Sequence, residues 1–298
     1  MCDIMRFPSI ILFLFSLQLS AQDIDNKLKQ DMIFYGDVMI SAQLSDNRRR
    51  AADTFDQLIG EYIDIAPANS QVDLSFVKQI TSITPDDSLF TISTWPVEFG
   101  AGIYEYHGYI FYSDRPYEKL QHNEEMSPSS QYQEHTADDW YGALYYNVVK
   151  YSDSEYLLFG RNDNGEFNNS KIADVLHFRD GNMLLGKEIF QDKEDSTSYV
   201  NKIYINYSAD ASVNLNYNPG LSMVVQDHLI QRIGRLPGQG PTHLPDGTYE
   251  GYQLEGDQWL YKRKLFDHSY GEDNAPRPNP VLDNKRPLRP KRKSKKRR

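Results

Sequence analysis

Tyr199-Val200-Asn201-Lys202-Ile203-Tyr204-Ile205-Asn206-Tyr207, followed by Val213-Asn214-Leu215-Asn216-Tyr217-Asn218-Pro219-Gly220-Leu221-Ser222-Met223-Val224-Val225, is the stretch that decides the fold. Ile203, Ile205 and Tyr207 fall on one side of an extended chain, Lys202 and Asn206 on the other. Val213, Leu215 and Tyr217 alternate with asparagines, and Leu221, Met223 and Val225 share a face beyond the turn Asn218-Pro219-Gly220. Period-two alternation with Asn and Ser on the outer face predicts an antiparallel sheet with one wet side.

The same texture extends outward from Ser70. Ser88–Phe99 and Ile103–Tyr112 flank Gly100-Ala101-Gly102 as a hairpin, and Tyr141–Tyr151 with Glu155–Gly160 form another. Tyr249–Leu254 and Gln258–Phe266 make a last pair around Glu255-Gly256-Asp257. Ser170–Phe178 reads equally as a helix start or a strand, and Gln121–Asp139 as a long polar loop. No fixed-length repeat appears.

The amino-terminal part has a different period. Ile24, Leu28, Met32, Tyr35, Met39 and Ala42 keep helical spacing, as do Ala52, Phe55, Leu58-Ile59 and Tyr62-Ile63. The break at Ser45-Asp46-Asn47, with Asp46 as N-cap, predicts an antiparallel helical hairpin whose tip, Arg48-Arg49-Arg50, is solvated. The expected fold is mainly β with an N-terminal helical hairpin (22–66) on an antiparallel β-sandwich or open barrel (67–270).

The termini speak to location. Phe7–Leu19 is an apolar run about thirteen residues long, short of the roughly 20 needed to span a bilayer. With Ser20-Ala21 ahead of Gln22 it fits a cleaved signal peptide over residues 1–21, cleaner if translation starts at Met5 than at Met1. Cys2, the single cysteine, falls in the removed segment, so the expected mature protein has no disulfide, no thiolate nucleophile and no transmembrane segment. A periplasmic or secreted location follows from this reading.

The other end, 271–298, reads as a disordered basic tail. The chain holds 32 basic and 42 acidic residues; residues 276–298 hold 11 and one of them, leaving 21 and 41 for everything before. Lys285, Arg286, Arg289, Lys291, Arg292, Lys293, Lys295, Lys296, Arg297 and Arg298 form a candidate anion-binding surface. Its partners would be an anionic surface polymer, extracellular nucleic acid, or the acidic remainder of the chain.

Signatures that would define an enzyme class are absent: no Gly-x-Ser-x-Gly, no phosphate-binding loop, no Gly-x-Gly-x-x-Gly, no His-Glu-x-x-His. The seven histidines lack metal-ligand spacing, and no metal or cofactor is implied. Asn162-Asp163-Asn164-Gly165-Glu166 reads as an Asn-Gly turn rather than a calcium loop. Asp227-His228, just past a strand, is the best acid/base candidate, although neighbours on an extended chain point to opposite faces. Trp95, Tyr106 and Trp140 are the candidate ligand-stacking residues, set against the alternative that such aromatics fill the core.

Thr94-Trp95, Trp140-Tyr141, Leu157-Leu158-Phe159-Gly160, Asn169-Ser170-Lys171-Ile172, Asp174-Val175-Leu176, Tyr207-Ser208-Ala209 and Asp227-His228-Leu229 recur in one order over most of 24–270. With the Leu-Ser-Ala-Gln junction at 19–22, the chain resembles a family of exported Bacteroidota-type proteins of unknown function. Arg161 departs from that pattern, where Trp would follow Gly160. The resemblance implies bacterial export and a shared fold, and brings no activity or catalytic residues. The leading expectation is a non-catalytic module binding a protein or a glycan. The alternatives are an envelope-glycan hydrolase using carboxylates or His228, and an assembly factor that recognises client chains along a sheet edge.

Overall fold

The computed structural model describes residues 8–65, 72–235 and 237–265, with side chains from Ile24 onward. Two helices, α1 (Pro8–Ser41) and α2 (Ser45–Ile65), precede fifteen described strands. Helix α2 starts one residue ahead of Asp46, which therefore sits in the first turn and not at the cap. Among the described residues no helix is long and apolar enough to cross a membrane.

The strands are β1 (Thr81–Ile83), β2 (Phe90–Gly100), β3 (Ile103–Tyr112), β4 (Glu118–Leu120), β5 (Leu144–Lys150), β6 (Tyr156–Asn162), β7 (Asn168–Arg179) and β8 (Asn182–Leu185). They continue with β9 (Phe190–Gln191), β10 (Tyr199–Val200), β11 (Ile203–Ser208), β12 (Leu215–Asn218), β13 (Met223–Ile233), β14 (Pro241–Glu255) and β15 (Gln258–Lys262). They form three sheets ordered β1-β2-β3-β4, β11-β7-β6-β5 with β8 beside β7, and β10-β9-β15-β14-β13-β12. Pairing is antiparallel except for one short parallel contact of β15 with β9. None of the sheets closes into a barrel, so of the two expected architectures the sandwich-like one is adopted.

Side-chain alternation stacks these elements into four layers. Odd positions of β2 and β3 (Trp95, Val97, Tyr109, Phe111) pack on the helices through Met32, Met39, Phe55 and Ile59. Even positions of the same strands (Phe90, Ile92, Ile110, Tyr112) meet Tyr145, Tyr156, Leu158, Ile172 and Leu176 of the middle sheet. The other face of the middle sheet (Leu157, Phe159, Ala173, Val175, Ile203, Ile205) packs on Leu215, Val224, Tyr252 and Trp259 of the third. Ser170–Phe178, ambiguous from sequence, is thus the centre of β7, apolar on both faces as a doubly covered strand must be.

Three expectations change. Tyr199–Tyr207 is two strands in different sheets, and its outer position Lys202 is fully buried, because a layer covers that side as well. Beyond the Asn218–Met223 turn, Met223 and Val225 are buried as expected, but so is Val224 between them, opposite Tyr217, while Leu221 lies ahead of the strand and is exposed. At the hairpin tip only Arg48 departs from the expected solvation, half-buried and donating to the Glu98 and Ala42 carbonyls; Arg49 and Arg50 stay exposed, the Arg49 guanidinium 4.0 Å over the Phe99 ring.

Candidate functional site

Strand β11 ends its sheet, with β7 on one side only. Beside it lies an open cleft of about 240 Å³ lined by Gln131, Tyr132, Asp192, Lys193, Glu194, Tyr204 and Tyr252. Three elements bring these residues together. The short 3-10 turn Pro128–Tyr132 supplies Gln131 and the exposed Tyr132. The β9–β10 connection supplies 192–194, held by Asp192 accepting the Glu194 amide at 2.8 Å. Strand β14 supplies the buried Tyr252.

The charges of the cleft are unevenly committed. Lys193 pairs with Glu250, which also accepts from Gln226 Nε2 (2.6 Å) and the Tyr261 hydroxyl (2.5 Å). Burial by itself would raise the Glu250 carboxyl, but Lys193, Tyr261 and Gln226 together hold it below the usual carboxylate range. Tyr204 turns its hydroxyl to Ser170 Oγ at 3.0 Å.

Under the cleft, Lys202 carries the other half of the arrangement. Its backbone stays at the edge while its side chain runs inward, fully buried, to Asp174 at 3.2 Å, also fully buried. The ammonium donates to His135 Nδ1 (3.0 Å) and the Leu185 carbonyl (3.2 Å) and lies 4.8 Å over the Tyr141 ring. Asp174 accepts from the Tyr141 hydroxyl (2.5 Å) and the Val175 amide (2.7 Å), and Tyr141 and Trp140 both reach the Tyr145 hydroxyl. Burial lowers Lys202 from its ordinary value, with Asp174 opposing the shift, and burial lowers His135 as well, reinforced by the neighbouring ammonium. This network is a scaffold: every charge in it is answered by a protein group at hydrogen-bonding distance.

The residues singled out from sequence lie elsewhere. Trp95, Tyr106 and Trp140 are at most 2% exposed and fill two different core layers, so they form no stacking surface. The competing reading of those aromatics, as core, is the one the packing supports. Asp227 and His228 do not meet: Asp227 accepts the Asn214 amide at 2.7 Å and closes the end of β12. A register shift between Asp227 and Leu229 turns His228 instead to Asp246 at 3.0 Å. Among the described residues no group of three or more His, Cys, Asp or Glu side chains converges as a metal site would. The basic tail residues Lys285–Arg298 and the amino-terminal residues 1–7 lie outside the described residues. Sequence reasoning missed the cleft because its lining comes from four separated segments. Lys202, at an outer-looking strand position, gave the one usable hint, since a lysine there is ordinarily solvated.

Comparisons with protein-family models, with curated proteins and with solved structures return no match to this chain.

Proposed function

We propose that this protein is a non-catalytic binding module that engages a protein or glycan partner in the cleft beside β11. The observation that carries the reading is the lining: tyrosines 132, 204 and 252 interleaved with Gln131, Asp192 and Glu194 in an open hollow. Aromatic bodies with polar tips recognise partners that are part apolar and part hydrogen-bonding. Glu250, the buried carboxylate paired with Lys193 of this lining, is unsuited to acid catalysis. A general acid needs a raised pKa, whereas Glu250 is held ionised by three donors.

Export through residues 1–21, a periplasmic or secreted location, and a basic tail adding attachment to anionic polymers complete the proposal. Its support is sequence composition. A second reading, hydrolysis, has one observation behind it, the His228–Asp246 pair, in which an oriented imidazole is part exposed.

Thermal shift of the full chain against envelope oligosaccharides and candidate proteins tests both. A ligand at 100 times its Kd adds about 2.7 kcal/mol of stability. The shift is expected to vanish in Tyr132→Ala and Tyr204→Ala and to survive in His228→Ala. Turnover of any of these ligands, abolished by His228→Ala or Asp246→Asn in a folded protein, would reverse the order of the two readings.

A further inference from the structure

The register of β11 on β7 decides which of its backbone groups are spoken for. Ile203 faces Ala173, Ile205 faces Lys171 and Tyr207 faces Asn169. Ala209, next in this series, donates its amide to the Phe167 carbonyl at 2.9 Å. Hydrogen-bonded and non-hydrogen-bonded pairs alternate along an antiparallel ladder, so 203, 205 and 207 point their N–H and C=O groups at β7. Lys202, Tyr204, Asn206 and Ser208 point theirs away.

Both ends of that outward edge are closed by the protein itself. The Gln131 carbonyl accepts from Asn201 (2.7 Å) and Lys202 (3.3 Å), and His135 pairs with Leu185 on the same side of β8. At the far end the Ser208 carbonyl accepts the Ala211 amide at 2.9 Å. Between them stand the N–H and C=O groups of Tyr204 and Asn206. No strand flanks them and, among the described residues, no hydrogen bond reaches them. The segment 131–135 thus covers this side like a partial neighbouring strand and stops two residues short. An unpaired edge is a template for one more strand.

From this we infer that the cleft takes an extended peptide segment of a partner protein, added as a strand along Tyr204–Asn206 and carrying a Lys or Arg beside Asp192 and Glu194. The inference rests on the binding-module reading and narrows it. Charge complementarity supplies the basic residue: Lys193 is committed to Glu250, and among the described residues Asp192 and Glu194 of the lining have no ion-pair partner. The strongly acidic chain ahead of residue 276 favours the same sign of partner at longer range.

The experiment uses the full chain and three probes. They are a heptapeptide alternating Val and Lys, the same peptide N-methylated at its central residues, and a chito-oligosaccharide. The unmethylated peptide is expected to shift the Tyr204 and Asn206 amide resonances and slow their hydrogen exchange. Methylation removes backbone donors at constant charge and should weaken binding by about tenfold, the scale of one or two net hydrogen bonds. Tyr204→Pro removes an outward N–H without touching the β7 ladder and should match that loss. The methylated-peptide comparison needs no variant, so misfolding of Tyr204→Pro leaves it intact. Equal affinity for the two peptides overturns strand addition. If only the oligosaccharide moves these resonances, strand addition falls and the binding-module reading stands; if no probe does, strand addition falls and the cleft loses its support as a binding site.

Discussion

An ammonium group with no solvent exposure, such as that of Lys202, is stable only while its partners stay in place. Asp174, His135 and the Leu185 carbonyl provide them, and Tyr141 and Val175 hold Asp174 in turn. Lys202→Met would strand Asp174 and is expected to cost about 3–5 kcal/mol in urea denaturation. Adding Asp174→Leu to it should recover a large part of that loss, and a single-variant cost below about 1 kcal/mol would show that water reaches the site. Glu250 gives a pH signature. Its folded pKa is depressed, so the stability it contributes is present above the unfolded carboxyl value of about 4.3 and lost as pH falls through the lower folded one. Tm measured down this acid limb should flatten in Glu250→Gln. Histidines 107, 122 and 135 begin the decline earlier. Burial depresses all three, so the unfolded chain gains protons from about pH 6.5 while the folded chain does not, and stability falls with falling pH.

Among the elements, β11 and β14 carry the sharpest consequences. In β11 the amides of Ile203, Ile205 and Tyr207 close on β7, whereas those of Tyr204 and Asn206 face outward. Hydrogen exchange of the free protein should therefore alternate along five consecutive residues, slow at the odd positions and fast at the even ones. Uniform protection would mean the edge is already covered. In β14 a methyl group on Gly251 would collide with the Val224 carbonyl of the adjacent strand. Gly251→Ala is expected to destabilise by about 1–3 kcal/mol, read as a lowered urea midpoint. These elements also show what sequence conveys. The alternation of Ile203, Ile205 and Tyr207 marked the strand and its apolar face, and the glycines around Ala101 marked the β2–β3 turn, where Gly102 takes φ +68°. Invisible was the number of layers. A lysine opposite that apolar face reads as solvated, and only a further layer on that side, here bringing Trp140 and Tyr141, changes its meaning. The cleft was hidden for a related reason: Gln131, Glu194, Tyr204 and Tyr252 are brought together by tertiary packing, which no local period encodes.

At the scale of the molecule, the described residues up to Leu265 belong to one compact unit, and the helices share a core with the first sheet. Removing residues 24–65 would uncover Trp95, Val97, Tyr109 and Phe111 together. Expression of such a truncation is expected to yield aggregate, and a soluble, cooperatively melting product would show that the β region stands alone. The same logic applies from the other end. Helices (8–65), first sheet (81–120), middle sheet (144–208) and last sheet (190–262) follow one another along the chain almost as they do through the stack. A chain stopped after Ser208 has its middle sheet complete but one apolar face bare, and it too should aggregate. Direction along the polypeptide is therefore also direction through the molecule. A chain emerging amino-terminus first always presents, at its growing end, the surface that its next segment exists to cover.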